Sequence, residues 1–231
     1  MTSPTLQLRH LTKCFGKLKV VDDLSLEIAG PQVVCLLGSN GAGKSTLMRM
    51  ITGFLPPDSG TIRIDGHPLD DERLTACGAL GYLPENAPIH PAMRVNETLA
   101  FVAAMHGLSG AAAKQAILEV VAQCQLEPVL TRLAGQISKG YRHRLGLAMA
   151  MLHHPPILVL DEPTDGLDPA QKKSTRALIR KLGERAIVLI STHLLDEVPE
   201  ISRHVLLMNH GRLVYDGELP PDLSTFVQKN C

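Results

Sequence analysis

Tryptophan is absent from this 231-residue chain, and only 3% of its residues are aromatic. A stacking platform for unpaired bases is therefore excluded. Excess charge is missing as well: 23 basic side chains balance 23 acidic ones. Nucleic-acid binders carry clustered Lys and Arg, so no nucleic-acid partner is expected. No apolar run approaches the roughly 20 residues that cross a bilayer. The opening MTSPTLQLRH lacks the charged-then-apolar layout of a secretory leader, so the expected location is the cytoplasm. Cys14, Cys35, Cys77, Cys124 and Cys231 form no CxxC pair and are odd in number, which favours reduced, structural thiols over a disulfide frame. Repeats, low-complexity segments and linkers are also missing.

What is present is a 45% hydrophobic composition, enough for a folded core. The length suits one domain, or one domain with an inserted lobe. TLQLRHL and VVDDLSLEI alternate apolar and polar residues like half-buried strands. QVVCLLG is continuously apolar, as a strand covered on both faces would be. It runs into SNGAGKSTLMRMITG, where Leu47, Met50 and Ile51 have helical spacing and Gly53 is a plausible stop. TIRID and ALGYLPE read as further strands. NETLAFVAAMHG and AAAKQAILEVVAQCQL are rich in Ala and read as two helices. The stretch from about 86 to 135 is taken as a helical lobe inserted into an α/β core of about 1–85 and 136–231. After it come a helix from about Ser138, the strand ILVLD, the helix KKSTRALIRKLG, the strand AIVLIST, a short helix near LLDEVPE, and the pair HVLLMN and RLVYDG. Strands alternating with helices imply a mostly parallel sheet flanked by helices.

Gly38 to Ser45 read GSNGAGKS and fit G-x-x-x-x-G-K-[ST], placed between a buried strand and a helix. Glycines allow several backbone N–H groups to point inward at phosphate oxygens, and the helix adds its positive end. Here Gly38, Ser39, Asn40, Gly41, Ala42, Gly43, Lys44, Ser45 and Thr46 form the phosphate cradle. Lys44 would face the β- and γ-phosphates, and Ser45 offers a hydroxyl to Mg²⁺. Asp161 ends an apolar run, where a carboxylate can hold a Mg²⁺ hydration shell. Glu162 adds a second carboxylate whose natural work is polarising an attacking water. DEPTDGLD lacks the alternating carboxylates and terminal Glu of a calcium loop. His153 and His154 end a helix before two prolines without a partner cluster, so a metal site is not expected there. Asp70 to Glu72 reads as a surface turn.

A phosphate loop alone leaves kinases, GTPases and many ATPases open, although a guanine-reading NKxD is absent. The further elements, in order, resemble those of ABC-transporter nucleotide-binding subunits. ISKGY resembles the ABC signature, LVLDEP its Walker B with glutamate, DGLDP its D-loop and STH its switch histidine. GYLPE stands in the place of the Q-loop, and Phe15 in the place of the aromatic that stacks on adenine. The likeness covers about Leu6 to Gly217. Ile137, Lys139 and Tyr141 replace the usual Leu, Gly and Gln of the signature, while Ser138 and Gly140 remain. Glu85 replaces the usual Q-loop Gln. LPEN together with SKGYRHR is most similar to ATPases of ABC-2-type exporters.

The resemblance implies a P-loop NTPase core with an antiparallel β subdomain and an inserted helical subdomain. It implies hydrolysis of ATP with Mg²⁺ held by Ser45, Asp161 and Glu85, and catalysis by Glu162, His193 and Glu85. It implies a dimer, expected to be of identical chains, in which Ser138, Lys139 and Gly140 face the nucleotide of the second subunit, with Asp168 in the D-loop. The other partner would be a separately encoded membrane permease, placing the chain on the inner face of the cell membrane. Two alternatives stay open at this point: a soluble ABC ATPase without a transport role, and an ATP-dependent clamp with little turnover.

Overall fold

A computed structural model describes residues 3–230. The chain begins with two long strands, β1 (Thr5–Phe15) and β2 (Leu18–Ala29), paired antiparallel as a hairpin. Their alternating apolar residues bury Leu6, Leu8, Leu24, Leu26 and Ile28 on one face. β3 (Gln32–Leu37) leads into α1 (Lys44–Ile51), then β4 (Ser59–Ile64) and the two-residue β5 (His67–Pro68). These give a four-stranded antiparallel sheet in the order β2-β1-β4-β5. A short α2 (Arg73–Gly78) and β6 (Leu80–Leu83) follow. Asp70 to Glu72 form an exposed turn, as expected.

Next come α3 (Val95–Met105) and α4 (Gly110–Cys124), where two helices were expected, then α5 (Lys139–Met151). Ser138 caps α5 by accepting from the Tyr141 N–H at 3.3 Å. The chain continues through β7 (Ile157–Asp161), α6 (Pro169–Gly183), β8 (Ile187–Ser191), α7 (Val198–Ile201), β9 (His204–Asn209), β10 (Arg212–Glu218) and α8 (Leu223–Asn230). The second sheet has the order β10-β9-β3-β8-β7-β6 and is parallel except for β10 on β9. Every residue of β7 and β8 is buried, which explains their unbroken apolar runs.

The apolar core falls into two clusters. One joins the antiparallel sheet and α1 to one face of the parallel sheet, through Val34, Leu36, Val159 and Leu189. The other joins α3, α4 and α5 to the opposite face, through Leu158, Leu160, Val188 and Ile190. The helical stretch therefore shares the core of the sheet, with α5 as the bridge. Cys35 and Cys124 belong to this second cluster, and burial pushes both thiols up to about 12. Cys231 lies outside the described residues. Because β3, β7 and β8 run parallel, their carboxyl ends meet at one edge, where ligands of open α/β sheets bind.

Candidate active site

The phosphate-loop segment leaves the buried end of β3 and enters α1. Gly43, at the N-cap of α1, has φ of +104°. A Cβ there would stand 2.5 Å from the Val20 carbonyl oxygen, so only glycine lets the loop lie this close to β2. Ala42 is buried; its N–H donates to the Ser39 carbonyl at 3.1 Å, and its own carbonyl accepts from the Gly211 N–H at 3.0 Å. Lys44 follows as the first helical residue. Its Nζ donates to the carbonyl oxygens of Gly38 at 2.7 Å and Ser39 at 3.1 Å. The ammonium is thus held across the mouth of the loop by the loop's own backbone.

The two acids come from the end of β7. The register of the parallel sheet sets Asp161 beside Ser191 of β8. The Ser191 hydroxyl donates to Asp161 Oδ1 inside the buried edge. Glu162 then takes a left-handed backbone, φ +50°. That conformation costs a non-glycine residue about 1–2 kcal/mol. Its N–H donates to the Ser191 carbonyl at 3.2 Å and approaches the hydroxyl at 3.3 Å, which holds it in place. The Glu162 side chain is only 17% exposed, and His193 Nδ1 lies 2.9 Å from its Oε2. The contact is an ion pair only when the imidazole carries a proton, and its geometry gives that buried oxygen no hydrogen bond.

A cavity of about 450 Å³ lies between these groups. From the loop come Asn40, Gly41, Gly43, Lys44, Ser45 and Thr46, with Val20 beside them. From elsewhere in the chain come Glu85, Asp161, Glu162, Asp165 and His193. One lysine and a helix N-terminus thus confront four carboxylates. That arrangement suits a polyphosphate and a hard cation together.

The ABC transporter family pattern matches residues 21–165. The chain belongs to the ABC transporter family. The cassette is 36% identical over 214 residues to the uncharacterised ABC transporter ATP-binding protein YxlF of Bacillus subtilis (strain 168), covering 93% of this chain and 71% of that one. It is likewise 36% identical over 222 residues to the bacitracin transport ATP-binding protein BcrA of Bacillus licheniformis, covering 95% and 71%. Among solved structures it superimposes on the ATP-binding subunit of an ABC transporter with a TM-score of 0.86 and 28% identity, over 93% of this chain and 90% of the other. A dimeric bacterial ABC transporter cassette, MJ0796, shares the fold with a TM-score of 0.85, at 24% identity and over 94% and 100% of the chains. The cassette is an ATP-binding ATPase of this family.

Most of the residues expected from the sequence converge on the cavity: Asn40, Gly41, Gly43 to Thr46, Glu85, Asp161, Glu162 and His193 all line it. Gly38 and Ser39 act one step back, through the carbonyls that hold Lys44. Phe15 is half exposed at the end of β1 and is not among the walls, whereas Val20 of the facing strand is. Ser138, Lys139 and Gly140 do not line this cavity, and Asp168 caps α6 by accepting from the Gln171 N–H at 2.9 Å.

Asp165 and Glu197 went unnoticed in the sequence. Asp165 opens the DGLDP stretch read as the D-loop, where only Asp168 was singled out. Glu197 is buried, and its carboxylate accepts from Thr164 Oγ1 at 2.6 Å and from Lys172 Nζ at 2.8 Å, which pins the loop beyond Glu162. Nothing in LLDEVPE signals this, because its partners are 25 or more residues away.

The donor set also tests the fit of Mg²⁺. Ser45, Asp161 and Glu85 present oxygen only, as a hard cation requires. Among the described residues no cluster of three or more His, Cys, Asp or Glu could hold a metal by itself. A Mg²⁺ would therefore need phosphate oxygens to complete its shell, which is how such ions accompany nucleotides. The residues fit that role.

Proposed function

We propose that this cassette hydrolyses MgATP in a sandwich of two cassettes and so drives a separately encoded membrane permease in the export direction. The observation that carries the reading is the separation of two groups. Lys44, Ser45, Asp161, Glu162 and His193 converge on one cavity, while Ser138 and Gly140, at the capped start of α5, stand outside it.

Loop amides and Lys44 hold the β- and γ-phosphates. Ser45 and Asp161, with Glu85, would hold Mg²⁺, which would supply neutralisation of charge on the phosphate oxygens. Glu162 accepts the proton of the attacking water. His193, 2.9 Å away, orients that carboxylate and the water beside it. Ser138, Lys139 and Gly140 offer the hydroxyl, ammonium and backbone N–H of a helix start to the γ-phosphate held by a second, identical subunit. Asp168 shapes the loop between the two sites, and Phe15 offers an exposed ring to adenine.

The two-cassette arrangement is supported by the dimeric fold relative. The export reading is supported by the name of the bacitracin transport relative and by the likeness of LPEN and SKGYRHR. No helix among the described residues is long and apolar enough to cross a membrane. We take 86–135, with Glu85, as the part that meets the permease from the inner face of the membrane. Phe54, Leu74, Phe101 and Met105 leave apolar surface exposed in and near that part.

Two measurements test the proposal together. The purified chain should turn over MgATP steadily. It should also co-purify from detergent-solubilised membranes with a protein of several membrane spans. Turnover without a membrane partner would favour a soluble ATPase; partner binding without turnover would favour an ATP-dependent clamp.

A further inference from the structure

We propose that Glu197 is a positioning residue: by accepting the Thr164 hydroxyl it locks the turn that carries Glu162 to the turn that follows His193, and so sets how those two side chains meet. The inference rests on the reading of Glu162 as the general base and of His193 as the group that orients it.

The sheet itself stops short of both side chains. The last register pair of β7 and β8 is Asp161 with Ser191. The Glu162 N–H still donates to the Ser191 carbonyl, and the two loops then leave the sheet. Glu162 and His193 meet at 2.9 Å, but the imidazole is half exposed and its contact gives the buried Oε2 no hydrogen bond. A contact of that kind couples two loops weakly. A second tie between the same loops lies deeper. Thr164 is two residues past Glu162 and Glu197 four past His193, and both are buried. The Thr164 hydroxyl donates to Glu197 Oε2 at 2.6 Å. A hydroxyl bonded to a carboxylate is a strong, charge-assisted pair.

Each end of this tie is joined stiffly to the side chain it must place. The Asp165 N–H donates to the Glu162 carbonyl at 3.1 Å, which closes a tight turn over 162–165. Pro163 fixes one φ inside that turn. On the other side, the Leu194 N–H donates to Thr192 Oγ1 at 3.0 Å, and the Glu197 N–H to the Leu194 carbonyl at 3.0 Å. Residues 192–197 thus form one compact run. A shift of Thr164 against Glu197 would therefore shift Glu162 against His193. The carboxylate is also fixed through its other oxygen. Lys172 Nζ donates to Oε1 at 2.8 Å, and Arg176 Nη1 stands 3.6 Å from the same atom. The two cations are one turn apart on α6. With Oε1 on α6 and Oε2 on Thr164, Glu197 has a single orientation. A buried ion pair adds little stability over apolar packing, so what this one contributes is direction.

The test compares steady-state MgATP turnover of Thr164→Val and Thr164→Ser in the full chain, each assayed well below its melting temperature. Valine keeps the branched shape and removes the hydroxyl; serine keeps the hydroxyl. Thr164→Val should lower kcat about 10- to 100-fold, the scale of a misplaced catalytic group, with KM for ATP unchanged because the phosphate loop is untouched. Thr164→Ser should keep most of the rate. In a His193→Ala background, Thr164→Val should add no further loss, because it acts through a contact already removed. An unchanged kcat in Thr164→Val, an equal loss in Thr164→Ser, a raised KM in place of the lowered kcat, or a full additive loss in the double variant would overturn the proposal and leave the reading of the site standing. Normal turnover in His193→Ala alone would overturn that reading, and the proposal with it. Should Thr164→Val not fold, Thr164→Ala carries the same comparison.

Discussion

Replacing Glu162 by Gln changes one charged oxygen to an amide and leaves shape and backbone φ alone. Catalysis and stability should then move independently. Loss of a general base costs about 10²–10⁴-fold in turnover. ATP affinity should persist, since Lys44, Ser45 and the loop backbone are untouched. The stability side follows from the site itself. Glu162 Oε2 is buried beside His193 without a hydrogen bond, and the side chain is only 17% exposed. A buried charge lacking hydrogen bonds is costly, so its neutralisation should leave the fold as stable or more so. For a chain of this size each kcal/mol moves the melting temperature by about 2–4 °C. The expected shift is therefore zero or a few degrees upward, alongside a collapse of phosphate release. Phosphate release and a thermal melt on the same preparation measure both. Unchanged turnover would remove Glu162 from the chemistry. A melting temperature lowered by many degrees would show that the carboxylate anchors the fold.

Two further predictions concern the scaffold. Gly81 of β6 lies against the end of α5, where a Cβ would meet the Ala150 carbonyl oxygen at 2.0 Å. Gly81→Ala should cost about 1–3 kcal/mol through forced displacement of that contact. A melt within one degree of wild type would contradict the packing. His153 stacks on His106 with ring centroids 3.6 Å apart, and its Nε2 faces the Leu80 carbonyl oxygen. Burial first, then the His106 ring, lowers His153 from 6.5 to about 4. The unfolded chain takes up this proton near pH 6.5 and the folded chain only near 4, so stability should fall as pH drops between those values. His153→Gln should flatten that limb; an identical acid limb in both proteins would refute the assignment.

The sequence was informative where local pattern and tertiary demand coincide. QVVCLLG, ILVLD and AIVLI had to be strands, because unbroken β-branched runs of that length fit a sheet covered on both faces. The phosphate loop was legible because its glycines answer a steric need, as Gly43 against Val20 makes plain. α2 was missed because six residues give too little periodicity, and α8 because LSTFVQKN has only three apolar positions to read. The wall residue Val20 carries no motif of its own, and Asp165 opens the DGLDP stretch, in which only Asp168 was singled out. The Glu197 network joins residues distant in sequence through groups that look solvent-bound in a linear reading. Phe15 shows the reverse case: a place in a motif did not bring its ring to the cavity.

The central claim is that each hydrolytic site combines Lys44 of one subunit with Ser138 of the other. The direct measurement is ATP turnover in a mixture of Ser138→Arg and Lys44→Ala chains, each inactive alone. In a mixed dimer the cross-chain arrangement places both lesions in one site and leaves the other intact, so the mixture should recover measurable activity. Were Lys44 and Ser138 of the same chain to serve one nucleotide, every site would carry a lesion, and the mixture would remain as inactive as its parts.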